Sequence, residues 1–243
     1  MLLETPLFGY SLPEKTLCLT FDDGPGETAD DQCGPKTEKI AAYLNEQHIS
    51  ATFFVVGKFA KQYPKILERI VELGHSLGNH TYHHPHLINM YTAGREQEII
   101  DEITNTSALL TPYLKNKNIY FRAPYGSWNS NIAKLMHLHL QDKLRYIGPF
   151  HWDISGDDWY FWEKGASAEK CAETYLELIQ EKGKGILLLH DSTADPIEFN
   201  PNAERMKANN RVLETIKILI PQLKKEGYSF ARLNEIPHIA DLF

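Results

Sequence analysis

Cysteine is scarce in this chain: three residues in 243, Cys18, Cys33 and Cys171, with no CxxC pair. Their odd number and wide spacing argue against a disulfide framework and against a cysteine-based zinc site. Cys18 lies in an apolar run and reads as a small core residue. Long hydrophobic stretches are absent too, and nothing approaches the ~20 apolar residues of a membrane span. The N-terminus, MLLETPLFGYSLPEKT, has Glu4 and Pro6 where a signal peptide needs an unbroken apolar segment. The expectation is therefore a cytoplasmic protein or a trimmed, mature secreted form. Positive charge is in deficit, with 25 Lys+Arg against 32 Asp+Glu and a formal charge of −7. Nucleic-acid binders carry a basic patch, so that class is disfavoured. No linker, repeat or low-complexity tract interrupts the sequence. The composition, 42% hydrophobic and 23% charged, is that of an ordinary globular protein with ample material for a core.

What the chain does have is alternation. Short apolar runs predict strands at Thr16–Phe21, Ala51–Val56, Ile119–Phe121, Arg145–Ile147, Gly185–Leu189 and Tyr228–Arg232, with a weaker one at His75–Gly78. Helical periods lie between them at Lys36–Gln47, Pro64–Leu73, Gly94–Leu110, Asn131–Leu138, Ala168–Glu181 and Arg211–Lys225. Pro64 suits a first helical position, and Gly74, Gly183 and Gly227 suit left-handed helix ends. Strand–helix alternation implies a parallel sheet. Its repeat predicts an α/β fold: a distorted (β/α) barrel of about seven parallel strands, with a doubly wound open sheet as the alternative. A barrel concentrates chemistry just after its strand C-termini, and the polar clusters fall there.

Five clusters stand out. Thr20-Phe21-Asp22-Asp23-Gly24-Pro25-Gly26 ends an apolar strand in two adjacent carboxylates, which are costly beside a core unless paired or metal-bound; a helix cap with a turn is the plainer alternative. Gly78 to His86 holds four histidines, and His80 and His84, at i and i+4 on one helical turn, would offer two imidazoles to one metal. His83 and His86 read as bystanders, and His75 as packing beneath the site. An Asp/His/His set leaves metal positions open for water and substrate. Arg122, within Phe121-Arg122-Ala123-Pro124-Tyr125-Gly126, is either a permanent cation beside a carboxylate or a surface residue before a turn. Trp152 to Trp162 packs five aromatics and three aspartates into eleven residues, a mixture suited to stacking on sugar rings and to tuning a histidine. Finally, a buried strand ends in His190-Asp191, which offers an imidazole that titrates near neutral pH as a general acid.

In this order the five clusters resemble the motifs of the polysaccharide deacetylases, the NodB-type family 4 carbohydrate esterases. Thr20 to Gly26 resembles the first motif, and His80-Thr81-Tyr82-His83-His84 matches H-[S/T]-x-x-H. Arg122-Ala123-Pro124-Tyr125-Gly126 matches R-x-P-Y-G, Asp158-Trp159 the end of D-x-x-D-W, and Leu188-Leu189-His190-Asp191 the last motif. Ser155 stands where the fourth motif has its first aspartate. The resemblance implies one NodB-like domain over residues 1–243, its core at about 16–232, and a monomer without a membrane span. It implies one divalent metal, Zn2+ first and Co2+, Ni2+ or Mn2+ as alternatives, held by Asp23, His80 and His84. Asp22 would be the general base, Arg122 its orienting partner, and His190 the general acid tuned by Asp158. The Tyr125 backbone N–H would stabilise the oxyanion, and Trp159 and Leu188 would wall an acetyl pocket. The implied activity is removal of N-acetyl groups from an N-acetylated glycan, of chitooligosaccharide or peptidoglycan type. O-acetyl xylan esterases, deformylases and an inactive carbohydrate-binding barrel are the alternatives. Trp128, the Trp159–Trp162 cluster and the polar segment Thr193–Asn210, expected as a long loop at the rim, are the places to look for substrate selection.

Overall fold

The computed structural model describes residues 2–28, 33–114, 116–140 and 144–242. Among these residues nine strands form one sheet: β1 (Leu2–Leu7), β2 (Thr16–Asp22), β3 (Thr52–Val55), β4 (Ser76–Asn79), β5 (Asn118–Phe121), β6 (Arg145–Phe150), β7 (Ile154–Ser155), β8 (Gly185–His190) and β9 (Ser229–Phe230). The order is β1-β6-β5-β4-β3-β2-β8-β7, with β9 attached at the start of β2. The pairings between these strands are parallel. Among the described residues no ladder joins β1 to β7, so the sheet curls into a half-barrel, an opened version of the expected (β/α) barrel.

β2 shows why these residues make this sheet. All seven of its residues are buried, as expected where helices cover one face of a parallel strand and the barrel interior the other. Leu17, Leu19 and Phe21 join the cluster beneath the helices, while Cys18 joins the barrel interior with Phe54, Ile147, Phe150 and Ile186. This is the two-residue period of a strand. The outer layer includes the helices Thr37–Glu46, Pro64–Glu72, Glu96–Leu110, Ser130–His139, Ala168–Lys182 and Val212–Lys225. Pro64 opens its helix, and Gly74, Gly183 and Gly227 have positive φ where the preceding helices stop.

β1 and β7 were not expected. β1 contains Glu4 and Pro6, and it is tolerated because it forms an edge of the sheet, where a missing N–H costs little. β7 has two residues, too few to show a period. The short helices Gly57–Gln62, Leu87–Thr92, Asp158–Lys164, Ala203–Ala208 and Pro237–Ala240 escape sequence reading for the same reason. One of them, Ala203–Ala208, lies inside the segment expected to be a plain loop.

The two ends of the half-barrel are closed differently. At the N-terminal ends of β4, β5 and β6 the chain returns after β9, and Arg232 and Asn234 lie beside Ser76, Asn118 and Arg145. From there Leu233, Ile236 and Ile239 enter the interior cluster together with Leu7 and Leu12. The C-terminal ends of the strands carry the polar clusters.

Candidate active site

β2 ends at Asp22, and Asp23 takes a left-handed φ of 76°. That reversal brings two neighbouring carboxylates to one cleft, where an extended strand would send them to opposite faces. His80 and His84 follow β4, but not on the helical turn their spacing predicts. Residues 80–86 are irregular, with Thr81 at φ 65° and His84 at φ 67°. Pro85 disfavours the helical region for the residue before it. The loop amides find partners elsewhere: Asn79 Oδ1 accepts from Thr81 N–H at 2.8 Å, and Glu102 accepts from Tyr82 and His83 at 2.8 and 2.7 Å. A folded loop therefore does what a helix face was expected to do.

Asp23, His80 and His84 are all buried, and their ligand atoms lie within 4.8 Å of one another. Asp23 Oδ1 is 3.1 Å from His84 Nε2 and 3.6 Å from His80 Nε2, yet it has no aligned hydrogen bond. His80 Nδ1 is used by the Arg122 carbonyl at 2.8 Å, which leaves Nε2 facing the carboxylate. A buried, unsatisfied carboxylate oxygen ringed by imidazole nitrogens at these separations fits one divalent ion with ligand bonds of about 2.0–2.2 Å. The charges point the same way. Burial alone would raise the Asp23 carboxyl, but His84, His190 and His80 overcome it and hold it well below the usual carboxylate range. Burial drives His80 down to about 4, against the pull of Asp22. Burial also opposes a charge on His84, but Asp23 and Asp195 prevail and raise it to about 9. Taking up an ion would release that proton.

Two charged pairs flank this centre. Arg122 is completely buried and spends its guanidinium inward: Nη1 donates to Asp22 Oδ1 at 2.7 Å and to Thr20 Oγ1 at 2.8 Å, and Nη2 to the His151 carbonyl at 3.1 Å. Its plane lies over Phe54, 4.2 Å from the ring centroid. It is thus the carboxylate partner and not the surface arginine. Asp22 Oδ2 stays on the cleft side, 3.5 Å from His80 Nε2. Opposite, Asp158 is fully buried and grips His190 twice, accepting from its backbone N–H at 2.8 Å and meeting Nδ1 at 2.7 Å. Burial opposes a charge on His190, yet Asp158 first, then Asp23 and Asp22, raise it to about 10. With Nδ1 engaged, Nε2 is the nitrogen left to act. The β2–β8 register sets Asp22 directly against His190.

The cleft above holds about 400 Å³ and is lined by Asp22, Asp23, His80, His84, Tyr125, Trp159, Leu188 and His190, among others. Trp128 does not line it. That indole is buried against Phe121, and its Nε1 donates to the Leu3 carbonyl at 2.9 Å, because Leu2–Leu7 form a strand beside it. Trp162 is likewise buried. Of the three aspartates in the aromatic cluster only Asp158 meets a histidine. Asp153 accepts from the amides of Gly9 and Ile186 at 2.7 and 2.8 Å, and Asp157 pairs with Ser155 at 3.1 Å. His83 pairs with Glu102, and His75 is spent on Ala51 and Ala41.

Trp152, from the aromatic cluster, and Asp195 and Phe199, from the rim segment Thr193–Asn210, also line the cleft, and sequence reasoning singled out neither of the last two. Asp191 is a brace for the first motif. It accepts from Thr37 Oγ1, which itself accepts from Gly26 N–H at 2.9 Å. A Cβ on Gly24 would come within 2.0 Å of the Asp191 carboxylate, so the glycine is needed for the close approach. Burial holds the Asp191 carboxyl up at about 7.

Known proteins resemble this chain over most of its length. The chain is 28% identical over 222 residues to a chitooligosaccharide deacetylase of Azorhizobium caulinodans, covering 90% of this chain and 93% of the relative. It is 30% identical over 224 residues to the peptidoglycan-N-acetylmuramic acid deacetylase PdaA of Bacillus subtilis, covering 92% of this chain and 72% of the relative. The crystal structure of a peptidoglycan N-acetylglucosamine deacetylase superposes with a TM-score of 0.67 at 26% identity, covering 92% of this chain and 88% of the other. The signature of the family described as polysaccharide deacetylase matches residues 9–140, and the chain belongs to that family.

Proposed function

We propose that this protein is a metal-dependent hydrolase that removes N-acetyl groups from an N-acetylated glycan and releases acetate, with residues 1–243 acting as one catalytic domain. The observation that carries the reading is the buried Asp23/His80/His84 set lying between the Asp22–Arg122 and His190–Asp158 pairs. The named activities of the relatives, on chitooligosaccharides and peptidoglycan, support the substrate class.

An acetamide resists hydrolysis because resonance stabilises its carbonyl and its amine leaves poorly. When bound, a divalent ion, zinc by the donor set, polarises the carbonyl and acidifies water. Asp22 takes the proton of the attacking water. Arg122 holds one oxygen of that carboxylate, so the other is the base. The Tyr125 backbone N–H meets the oxyanion, an interaction typically worth about 3 kcal/mol. His190, charged through neutral pH and held by Asp158, gives its Nε2 proton to the departing nitrogen. Trp159, about one-third exposed at the rim, and Leu188 flank the acetyl methyl.

The test is acetate release from chitooligosaccharides, peptidoglycan fragments and acetylated xylan, with and without chelator. Release from an N-acetylated glycan that chelator stops and zinc restores is expected. Release from xylan alone would make the protein an O-acetyl esterase, and activity indifferent to chelator would remove the metal from the reading.

A further inference from the structure

The two metal-facing histidines are supported differently. His80 rests on a backbone carbonyl inside the half-barrel, that of Arg122. Among the described residues no backbone carbonyl supports His84 in this way. Its Nδ1 faces Tyr125 Oη at 3.1 Å and Asp195 Oδ1 at 3.3 Å. Asp195 comes from the segment after β8, and none of the recognised motifs contains it. Its side chain is one-fifth exposed, and its polar atoms are engaged. Oδ1 accepts from Tyr125 Oη at 2.7 Å, and Oδ2 accepts from Asn200 Nδ2 at 3.0 Å.

The preceding residue is gripped from two sides. Ala194 N–H donates to Asp23 Oδ2 at 3.3 Å, and the Ala194 carbonyl accepts from Lys58 Nζ at 2.9 Å. Two consecutive residues of one segment thus reach the outer sides of two residues of the metal set. An imidazole whose Nδ1 points at a carboxylate keeps its proton on Nδ1 and presents the Nε2 lone pair. His84 Nε2 is the nitrogen 3.1 Å from Asp23 Oδ1. Asp195 lies behind the imidazole and so acts on its orientation, outside the ligand set itself.

We propose that Asp195 is a positioning residue that fixes the ring orientation and tautomer of His84 toward the ion and ties the Tyr125 side chain to the same point. The proposal rests on the reading of Asp23, His80 and His84 as the metal site. It makes the segment after β8 part of that site, and it gives the exposed Tyr125 ring a fixed place over it. Carboxylates behind ligating histidines typically contribute 10–100-fold in metal affinity.

The experiment uses the full chain stripped of metal and titrated with Zn2+ against a chromophoric chelator, alongside thermal melts of the metal-free proteins. Asp195→Ala is expected to weaken zinc binding about 10–100-fold, with a metal-free melting temperature close to that of the wild type. Asp195→Asn keeps the shape and one acceptor, and it should fall between the two. That variant also carries the test if the alanine variant does not fold. Activity at saturating zinc should recover more fully in Asp195→Asn than in Asp195→Ala, because the amide can still accept from Tyr125. Wild-type zinc affinity in both folded variants would overturn the role of Asp195 and leave the metal site standing. A wild-type protein that binds no zinc would overturn both.

Discussion

The mouth and the floor of the half-barrel are built from opposite materials. At the mouth, Asp22, Asp23, His80, His84, Arg122 and Asp158 are buried charged or titratable groups, a costly assembly that survives because each has a partner or the geometry of an ion site. At the floor, Leu233, Ile236 and Ile239 bring apolar side chains into the interior, and Arg232 and Asn234 stay outside that cluster. The comparison teaches that one sheet separates two tasks. The floor supplies cohesion, and the mouth supplies chemistry at a cost in stability.

Three substitutions test that division, the largest effect first. Asp22→Asn removes the base while keeping its shape. It should lower kcat by about 10³-fold or more, near the upper range for general acid–base groups, while zinc stoichiometry by elemental analysis stays at the wild-type value. Near-normal turnover would sink the assignment. Asp158→Asn should cost about 10²-fold in kcat and move the alkaline limb of the pH–rate profile. The sign follows from His190, whose value is raised to about 10. Its proton is present through neutral pH and lost as pH rises through that value. Without the Asp158 charge the loss comes at lower pH, and an unmoved limb would mean that another group sets it. The same pair stabilises the fold fully below the ordinary histidine value near 6.5, and that contribution disappears as pH climbs through about 10. Ile236→Ala, at a fully buried floor position, should lose about 2–4 kcal/mol of stability in denaturant melts while leaving kcat within about twofold of the wild type under conditions where the variant is folded, as the division predicts for additive, distant sites. A large kcat loss there would show that floor and mouth are coupled.

The elements that read most plainly in the sequence are those with the longest period. β2 and β8 are buried runs rich in apolar residues, and Glu96–Leu110 and Val212–Lys225 are long enough to display a buried stripe. The site residues were legible for a different reason, because they sit at the ends of those runs within short motifs. Geometry was less legible. The spacing of His80 and His84 suggested a helical turn, and only Pro85 hinted otherwise. Trp128 looked like a groove residue because its environment depends on β1, an edge strand disguised by Glu4 and Pro6. Asp195 carries no local signal at all. Its partners, His84 and Tyr125, are 111 and 70 residues away in the chain, so only the closed sheet brings them together.

Left-handed backbone recurs at the mouth: Asp23, Thr81, His84, Tyr125 and Asp157 all have positive φ without being glycine. Each such residue costs of order 1 kcal/mol and persists only where its surroundings over-determine it. The conformational cost of shaping the cradle is therefore carried by the fold around it. Preorganisation of this kind leaves little entropy to lose on binding. An ion entering the cleft should meet a template already cut to size and exchange a proton, while the loops around it stay where they are.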